Sequence, residues 1–287
     1  MCNDSPVATP TWTISGAEIS DTNPVPSPIR HSIESSSVVK LLTWNIQAGI
    51  GTGRYRDYLL HAHRQLIHTR SKTLALHNIA RAIAPYDVVC LQEIDLGGRR
   101  AGYRNQVDAI AAQSGHAHIA VQQNRIVPGI SRHGNAILSR YPLKLVQDLK
   151  LPGRVAGRGC LVVDIEGAVR LRVACLHLSL GGPAQREQLA AIAQALRDAP
   201  AWVAMGDFNC SADSDTMAEF CATSGGVLPA VSPLTYPSWQ PRHDFDHIVS
   251  LVPLTQYRVE PARLSDHLPV SATVAAPSPA DRLAGRG

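Results

Sequence analysis

Short apolar runs recur through the middle of this chain, and most of them stop on a polar residue. "VVKLLTWNI" (Val38 to Ile46) and "YDVVCLQEI" (Tyr86 to Ile94) are continuous rather than alternating, which predicts buried strands. Between them, "SKTLALHNIARAIA" places its apolar residues at helical spacing. "HGNAILSR", "GCLVVDIEG", "VRLRVACLHLSL", "AWVAMGDFN", "FDHIVSLV" and "LPVSATV" predict further strands. "PAQREQLAAIAQALRDA" predicts a helix, with Pro183 suited to its first turn. Many strands with fewer helices among them imply layered sheets flanked by helices, because each sheet has a face to bury.

The same pattern sets boundaries. Residues 1–37 are rich in Pro, Ser and Thr and show no amphipathic period, so a disordered leader is expected, with a flexible tail over 276–287. Residues 38–275 then make one domain without an internal repeat. At 287 residues, 45% apolar and 17% charged, the chain has ordinary globular composition and buries roughly three-quarters of its unfolded surface. A net charge of +4 suits an anionic substrate without requiring nucleic acid. The 6 cysteines lack CxxC spacing and are expected as buried reduced thiols. The leader lacks the basic start and apolar stretch of a secretory signal, and no run approaches the roughly 18 apolar residues of a membrane span. A cytoplasmic monomer is expected.

Candidate chemistry gathers where the strands end. Asn45 closes the first, Glu93 the second, His177 the "VACLHL" strand, and Asp207 with Asn209 the "VAMGDFN" strand. Asp246 opens "DHIVSL", and Asp266 and His267 precede "LPVSATV". Each alone has a structural explanation, since Asp and Asn cap turns and a single His beside apolar residues is commonly a satisfied core group. Together they supply hard oxygen ligands for a Mg²⁺-like ion and imidazoles able to move protons or steady negative charge. Asp207 and Asn209, two residues apart, are expected on one side of an extended chain, facing one ligand.

The ordered set "TWNIQ", "LQEID", "GNAILSR", "LHLS", "GDFN", "FDHI" and "SDHLP" resembles the endonuclease/exonuclease/phosphatase superfamily over most of the chain. The resemblance implies an α/β fold, a four-layer α/β sandwich with two central, mostly antiparallel sheets flanked by helices. It also implies Mg²⁺- or Mn²⁺-dependent hydrolysis of a phosphate ester by an in-line water. Matched motif by motif, Glu93 becomes the principal metal ligand, helped by Asn45, with Asp266 taking part. Asp207 would orient or deprotonate the water, and Asn209 would hold a phosphate oxygen. His267 would bond the phosphate or move a proton, with Asp246 fixing its tautomer, and His177 would donate to the phosphate or leaving group. Gln47 stands where some branches have a carboxylate, which places more weight on Glu93.

Among the loop arginines, Arg104 and Arg158 are the expected substrate contacts, together with Asn135, since guanidinium forks match phosphate oxygens. "GIGTG" (Gly49 to Gly53) lacks the ending of a nucleotide-binding loop and reads as a loop near the site, while "HAHRQLIH" lacks the HExxH spacing of a zinc site. Tyr236 and Trp239 either stack on a base, line a lipid groove or pack their own loop. The expected partner is an anionic phosphodiester. Nucleic acid is favoured over a phospholipid or sphingomyelin, for which no exposed apolar hairpin is legible, and a small phosphorylated metabolite is the further alternative. A catalytically silent binding protein on this scaffold would be expected to have lost part of the set, and all of it is present.

Overall fold

The computed structural model describes residues 38–50, 69–153, 155–166 and 170–275. The expected leader and tail, "HAHRQLIH", Arg154, Cys2 and most of "GIGTG" lie outside these residues.

Among the described residues, eleven strands form two sheets. The first contains β1 (Val38–Asn45), β2 (Val88–Asp95), β3 (His118–Val127), β4 (Ser131–Ser139), β10 (Leu254–Val259) and β11 (Val270–Ala275), in the order β10-β11-β1-β2-β4-β3. The second contains β5 (Leu143–Lys150), β6 (Gly159–Ile165), β7 (Leu171–His177), β8 (Trp202–Asp207) and β9 (Asp246–Ser250), ordered as numbered. Each sheet is antiparallel except for one parallel pair, β1 with β2 and β7 with β8. A parallel pair needs a crossover, which helices α1 (Arg70–Ile83) and α3 (Gly182–Leu196) supply within the chain between those strands. The other α-helices among the described residues are α2 (Gln106–Ser114) and α4 (Asp215–Ser224). Asn105 caps the first of these through Val107 N–H and Ser214 caps the second through Met217 N–H; both end on left-handed glycines, Gly115 and Gly225.

Three apolar clusters define four layers. Leu41, Val88, Cys90 and Ile137 of the first sheet meet Leu161, Val173, Cys175, Val203 and Met205 of the second. The alternate residues Leu42, Trp44, Val89 and Leu91 face α1 and α2 through Leu76, Ile79, Ile83, Val107 and Ile110. Cys160, Val162, Ala174 and Ala204 likewise face Leu189, Ile192, Leu196, Met217 and Phe220 of α3 and α4. Central strands are thus buried on both faces, which is why their sequences read as continuous apolar runs. The architecture is the expected α/β sandwich. The described cysteines are free, four of them buried and Cys221 half-buried.

The topology brings the C-terminal ends of both parallel pairs to one edge of the sandwich. Asn45 ends β1 and Glu93 lies two residues from the end of β2 in one sheet, while His177 and Asp207, directly paired, end β7 and β8 in the other. A β-bulge completes the aim of Glu93: between Leu91 and Ile94, two residues of β2 stand opposite one of β4, and Glu93 adopts φ 56°. Gln92 beside it turns inward, where its amide donates to Thr43 Oγ1 at 3.1 Å and Cys175 Sγ at 3.4 Å.

Candidate active site

Asp207 is the hub. It is buried, its Oδ2 accepts from Asn45 Nδ2 at 3.0 Å, and two imidazoles flank it: His177 Nε2 at 3.5 Å and His267 Nε2 at 3.9 Å. Asn45 Nδ2 also reaches Glu93 Oε1 at 3.4 Å, so one amide bridges the carboxylates of both sheets. His267 donates from Nδ1 to Asp246 Oδ2 at 2.8 Å, and Thr235 Oγ1 donates to the same oxygen at 2.6 Å. Asp246 Oδ1 is buried without a hydrogen-bond partner among the described residues. The loop carrying His267 is pinned to β1, since Trp44 Nε1 donates to His267 O at 3.0 Å and Ser265 Oγ to Asn45 O at 2.7 Å.

These contacts pull the titrations apart. Burial raises the Asp207 carboxyl to about 7; Asp246 and Glu93 add to the rise, while His267 and Asn45 oppose it. Burial works against a charged His267, yet Asp246, Asp207 and Asp266 overcome it and lift the imidazole to about 10. His177 goes the other way: burial, then Arg158 and His267, hold it well below the usual histidine value. It is therefore a neutral ring, in contact through Nε2 with Arg158 Nη1. At pH 8 the site holds an imidazolium, a neutral imidazole and a carboxylate within reach of one another, the groups that acid-base chemistry needs.

A divalent cation fits the donor set. Asp207, Asp246 and His267 offer ligand atoms within 4.8 Å of one another. His267, however, holds its proton to high pH against Asp246 and so has no lone pair to give. Glu93 is the better anchor: its side chain is 36% exposed, and burial together with the nearby Asp266 raises its pKa, a repulsion between carboxylates that a cation relieves. Asp266 itself accepts from Ser265 Oγ at 3.0 Å.

Four expectations change in detail. Asn45 was expected to offer oxygen to a metal, but its Oδ1 accepts from Gln47 N–H at 3.1 Å, which turns the amide nitrogen toward the carboxylates. Asn209 does not continue an extended chain beside Asp207. It sits at φ 52°, its N–H donates to Asp207 Oδ1 at 3.0 Å, and its Nδ2 donates to Leu178 O at 2.9 Å, an Asx turn that orients Asp207. Asn135 is fully buried and spends its Nδ2 on Gln122 Oε1 and Gly159 O, both at 3.1 Å, so it ties β3, β4 and β6 together. Arg104 is exposed and lines no part of the cleft beside Glu93; Arg100, drawn inward by Asp95 at 2.8 Å, is the buried arginine of that loop. Arg158 does line that cleft, with Glu93, His133, Asn135 and His177. Sequence reading missed Thr235 and Trp44, which position His267. No spacing signals them, because Trp44 acts from within β1 and Thr235 from a loop, each on a partner brought close only by the fold.

Gln47, Ala48, Glu93 and Asn209, all non-glycine residues with positive φ, border this edge. Such backbone persists where surrounding structure dictates it, and it clusters at sites of function.

The four-layer α/β sandwich thus carries its acids and imidazoles at one edge. The chain matches the Endonuclease/Exonuclease/phosphatase family over residues 42–267, and it belongs to that family. It is 29% identical over 185 residues to uncharacterized protein YbhP of Escherichia coli K12, across 59% of this chain and 66% of that protein, slightly less than two-thirds of its length. An endonuclease/exonuclease/phosphatase structure from Beutenbergia cavernae superposes with TM-score 0.63 at 20% identity, covering 83% of this chain and 71% of that one. Sphingomyelinase C from Streptomyces griseocarneus superposes with TM-score 0.54 at 18% identity, covering 83% and 99%. At these identities the structural likenesses establish the fold. Among the described residues, no helix is long and apolar enough to cross a membrane.

Proposed function

We propose that the protein hydrolyses a phosphodiester by in-line attack of water, with Mg²⁺ or Mn²⁺ bound by Glu93 and Asp266 and nucleic acid as the favoured substrate. The observation that carries the reading is Asp207, raised to about 7 between a neutral and a protonated imidazole. As a carboxylate it takes the proton of the attacking water. His267, its charge held by Asp246, donates from Nε2 to a phosphate oxygen. His177 and Arg158 steady the opposite side of the phosphoryl group, and Asn209 keeps Asp207 aimed through its N–H. When bound, the cation neutralises phosphate oxygens and stabilises the leaving oxygen.

The test is hydrolysis of bis-p-nitrophenyl phosphate, plasmid DNA and sphingomyelin, each with Mg²⁺, with Mn²⁺ or with EDTA, and with Asp207→Ala as the control. Metal-dependent turnover that the variant abolishes is expected, with DNA the best substrate. Turnover that survives EDTA removes the cation from the reading, and sphingomyelin as the best substrate replaces the nucleic-acid preference. Silence on all three in folded protein overturns the hydrolase.

A further inference from the structure

Helix α3 buries one stripe of side chains, Gln185, Gln188, Leu189, Ile192 and Leu196, and the first two are polar. An apolar residue fills such a position with no hydrogen bonds to satisfy, so a buried carboxamide there needs partners. Gln185 has three. Its Nε2 donates to Asn209 O at 2.8 Å, Ser179 O at 2.9 Å and Phe208 O at 3.3 Å. Ser179 lies just beyond β7, and Phe208 and Asn209 just beyond β8, so this amide closes over the exits of the two strands that end on His177 and Asp207.

The loop it holds is the one that aims Asp207. Phe208, Asn209 and Cys210 lie outside any strand or helix, and side chains take all three of their carbonyls: Gln185 the first two, and His247, donating from Nε2 at 2.9 Å, the third. Asn209 stands there at φ 52°, a conformation that persists only where its surroundings dictate it. In that conformation its N–H reaches Asp207 Oδ1 at 3.0 Å and its Nδ2 reaches Leu178 O at 2.9 Å, while Leu178 N–H donates to Asp207 O at 2.9 Å. With Oδ1 fixed in this way, Oδ2 is the oxygen presented to Asn45 and the two imidazoles. Gln188, one turn further along α3, bonds as fully but elsewhere. Its Oε1 accepts from Ser179 N–H at 2.9 Å, and its Nε2 donates to Ser179 Oγ at 2.9 Å and Pro152 O at 2.6 Å.

We propose that Gln185 is a positioning residue for Asp207: by holding Phe208 O and Asn209 O it keeps the Asx turn of Asp207 closed, and so fixes which carboxylate oxygen faces the reaction. The role rests on the proposed hydrolase for what Asp207 does there, and on the hydrogen bonds alone for how Asp207 is held. Gln185 acts through backbone carbonyls, so its loss misaligns the base rather than weakening the hold on substrate, and the cost falls on kcat.

The experiment compares Gln185→Met with Gln188→Met in the full chain. Each removes a buried carboxamide of α3 at nearly constant shape and leaves its partners unanswered, so both should lower the thermal midpoint by a few degrees. Only Gln185→Met is expected to lower kcat, by about 10- to 100-fold with KM held within about twofold, the scale of a misaligned catalytic group. Gln185→Lys should recover most of that kcat, because an ammonium offers three donors to the same three carbonyls. Exchange of the Asn209 amide proton, read by NMR, needs no turnover. Gln185→Met should speed it by about tenfold or more, while the Val203 and Ala204 amides of β8 keep their wild-type rates and Gln188→Met leaves Asn209 unchanged. Gln185→Asn, which draws the same amide back by one methylene, makes both measurements on a milder change should the Met variant fail to fold. Unchanged Asn209 exchange, an unchanged kcat, or an equal loss of kcat in Gln188→Met overturns the positioning role. A wild-type protein that hydrolyses nothing, yet whose Asn209 exchange depends on Gln185, keeps the clamp and loses the hydrolase.

Discussion

Asp95 and Asp207 both end central strands, both are buried, and both have cationic neighbours, yet their surroundings differ in kind. Asp95 Oδ1 accepts from the N–H groups of Gly97, Gly98 and Arg132, at 3.1, 3.0 and 3.2 Å, while Oδ2 binds Arg100 Nε at 2.8 Å. Burial alone would raise its pKa, but the Gly98 amide, Arg100 and the Arg132 amide overcome it and hold the carboxyl below its ordinary value. Asp207 has Asp246 and Glu93 nearby and is raised to about 7. A carboxylate with both oxygens answered by donors fastens a loop. One set among other carboxylates keeps a repulsion that a proton, a cation or a substrate relieves, which is the condition for chemistry.

The largest expected effects separate the two by replacing each with its neutral isostere. Asp207→Asn should lower kcat by about 10³-fold, the scale of losing a general base, while the thermal midpoint stays the same or rises because like charges are removed. Asp95→Asn should destabilise the fold by about 3–5 kcal/mol, since Arg100 is left as a buried charge without its partner, while the fraction that remains folded keeps its kcat. Because the Asp95 pKa is depressed in the folded state, its stabilisation is complete above about pH 4 and is lost as pH falls through the folded-state value. Thermal unfolding and single-turnover rates on both variants check this. Matching losses of stability in the two variants would erase the distinction.

Sequence pattern revealed the central strands because both of their faces are buried, and it revealed α1 and α3 because Leu76, Ile79 and Ile83, or Leu189, Ile192 and Leu196, repeat at helical spacing. It was blind to β3, β5 and β10. These strands lie at sheet edges and carry exposed or polar residues on at least one face, as in "LKLVQDLK" of β5, so no apolar run marks them. At the site, residues at strand ends were legible because topology gathers strand ends. What eluded sequence reading was orientation. Whether Asn45 presents nitrogen or oxygen depends on the Gln47 amide, and whether Arg100 or Arg104 turns inward depends on Asp95. Such choices are made by partners brought close only in the folded chain.

A milder test leaves both clusters intact and varies pH. With Asp207 at about 7 and His267 at about 10, kcat should rise as the carboxyl loses its proton and fall as the imidazolium loses its own, giving a plateau between roughly those values. Initial rates at saturating substrate from pH 5 to about 10.5 read both limbs. An acid limb near 4 would place Asp207 with Asp95, as a satisfied carboxylate.

The smallest expected effect comes from Thr235, which is buried and donates to Asp246 Oδ2 at 2.6 Å, the same oxygen that accepts from His267. Thr235→Val keeps the shape and removes that donor. Among the described residues Asp246 Oδ1 already lacks a partner, so the variant makes the carboxylate still less satisfied and further from the state of Asp95. Its negative charge then falls more heavily on His267, and the proton should be held more tightly. The alkaline limb should move upward by a few tenths of a pH unit, with kcat on the plateau changed by less than about threefold and stability lowered by about 1–2 kcal/mol, since the Asp246 N–H also loses Thr235 Oγ1 as its acceptor at 3.3 Å. A downward shift of that limb would mean that Asp246 does not govern the proton on His267, and the high pKa would then have to come from Asp207 and Asp266 alone.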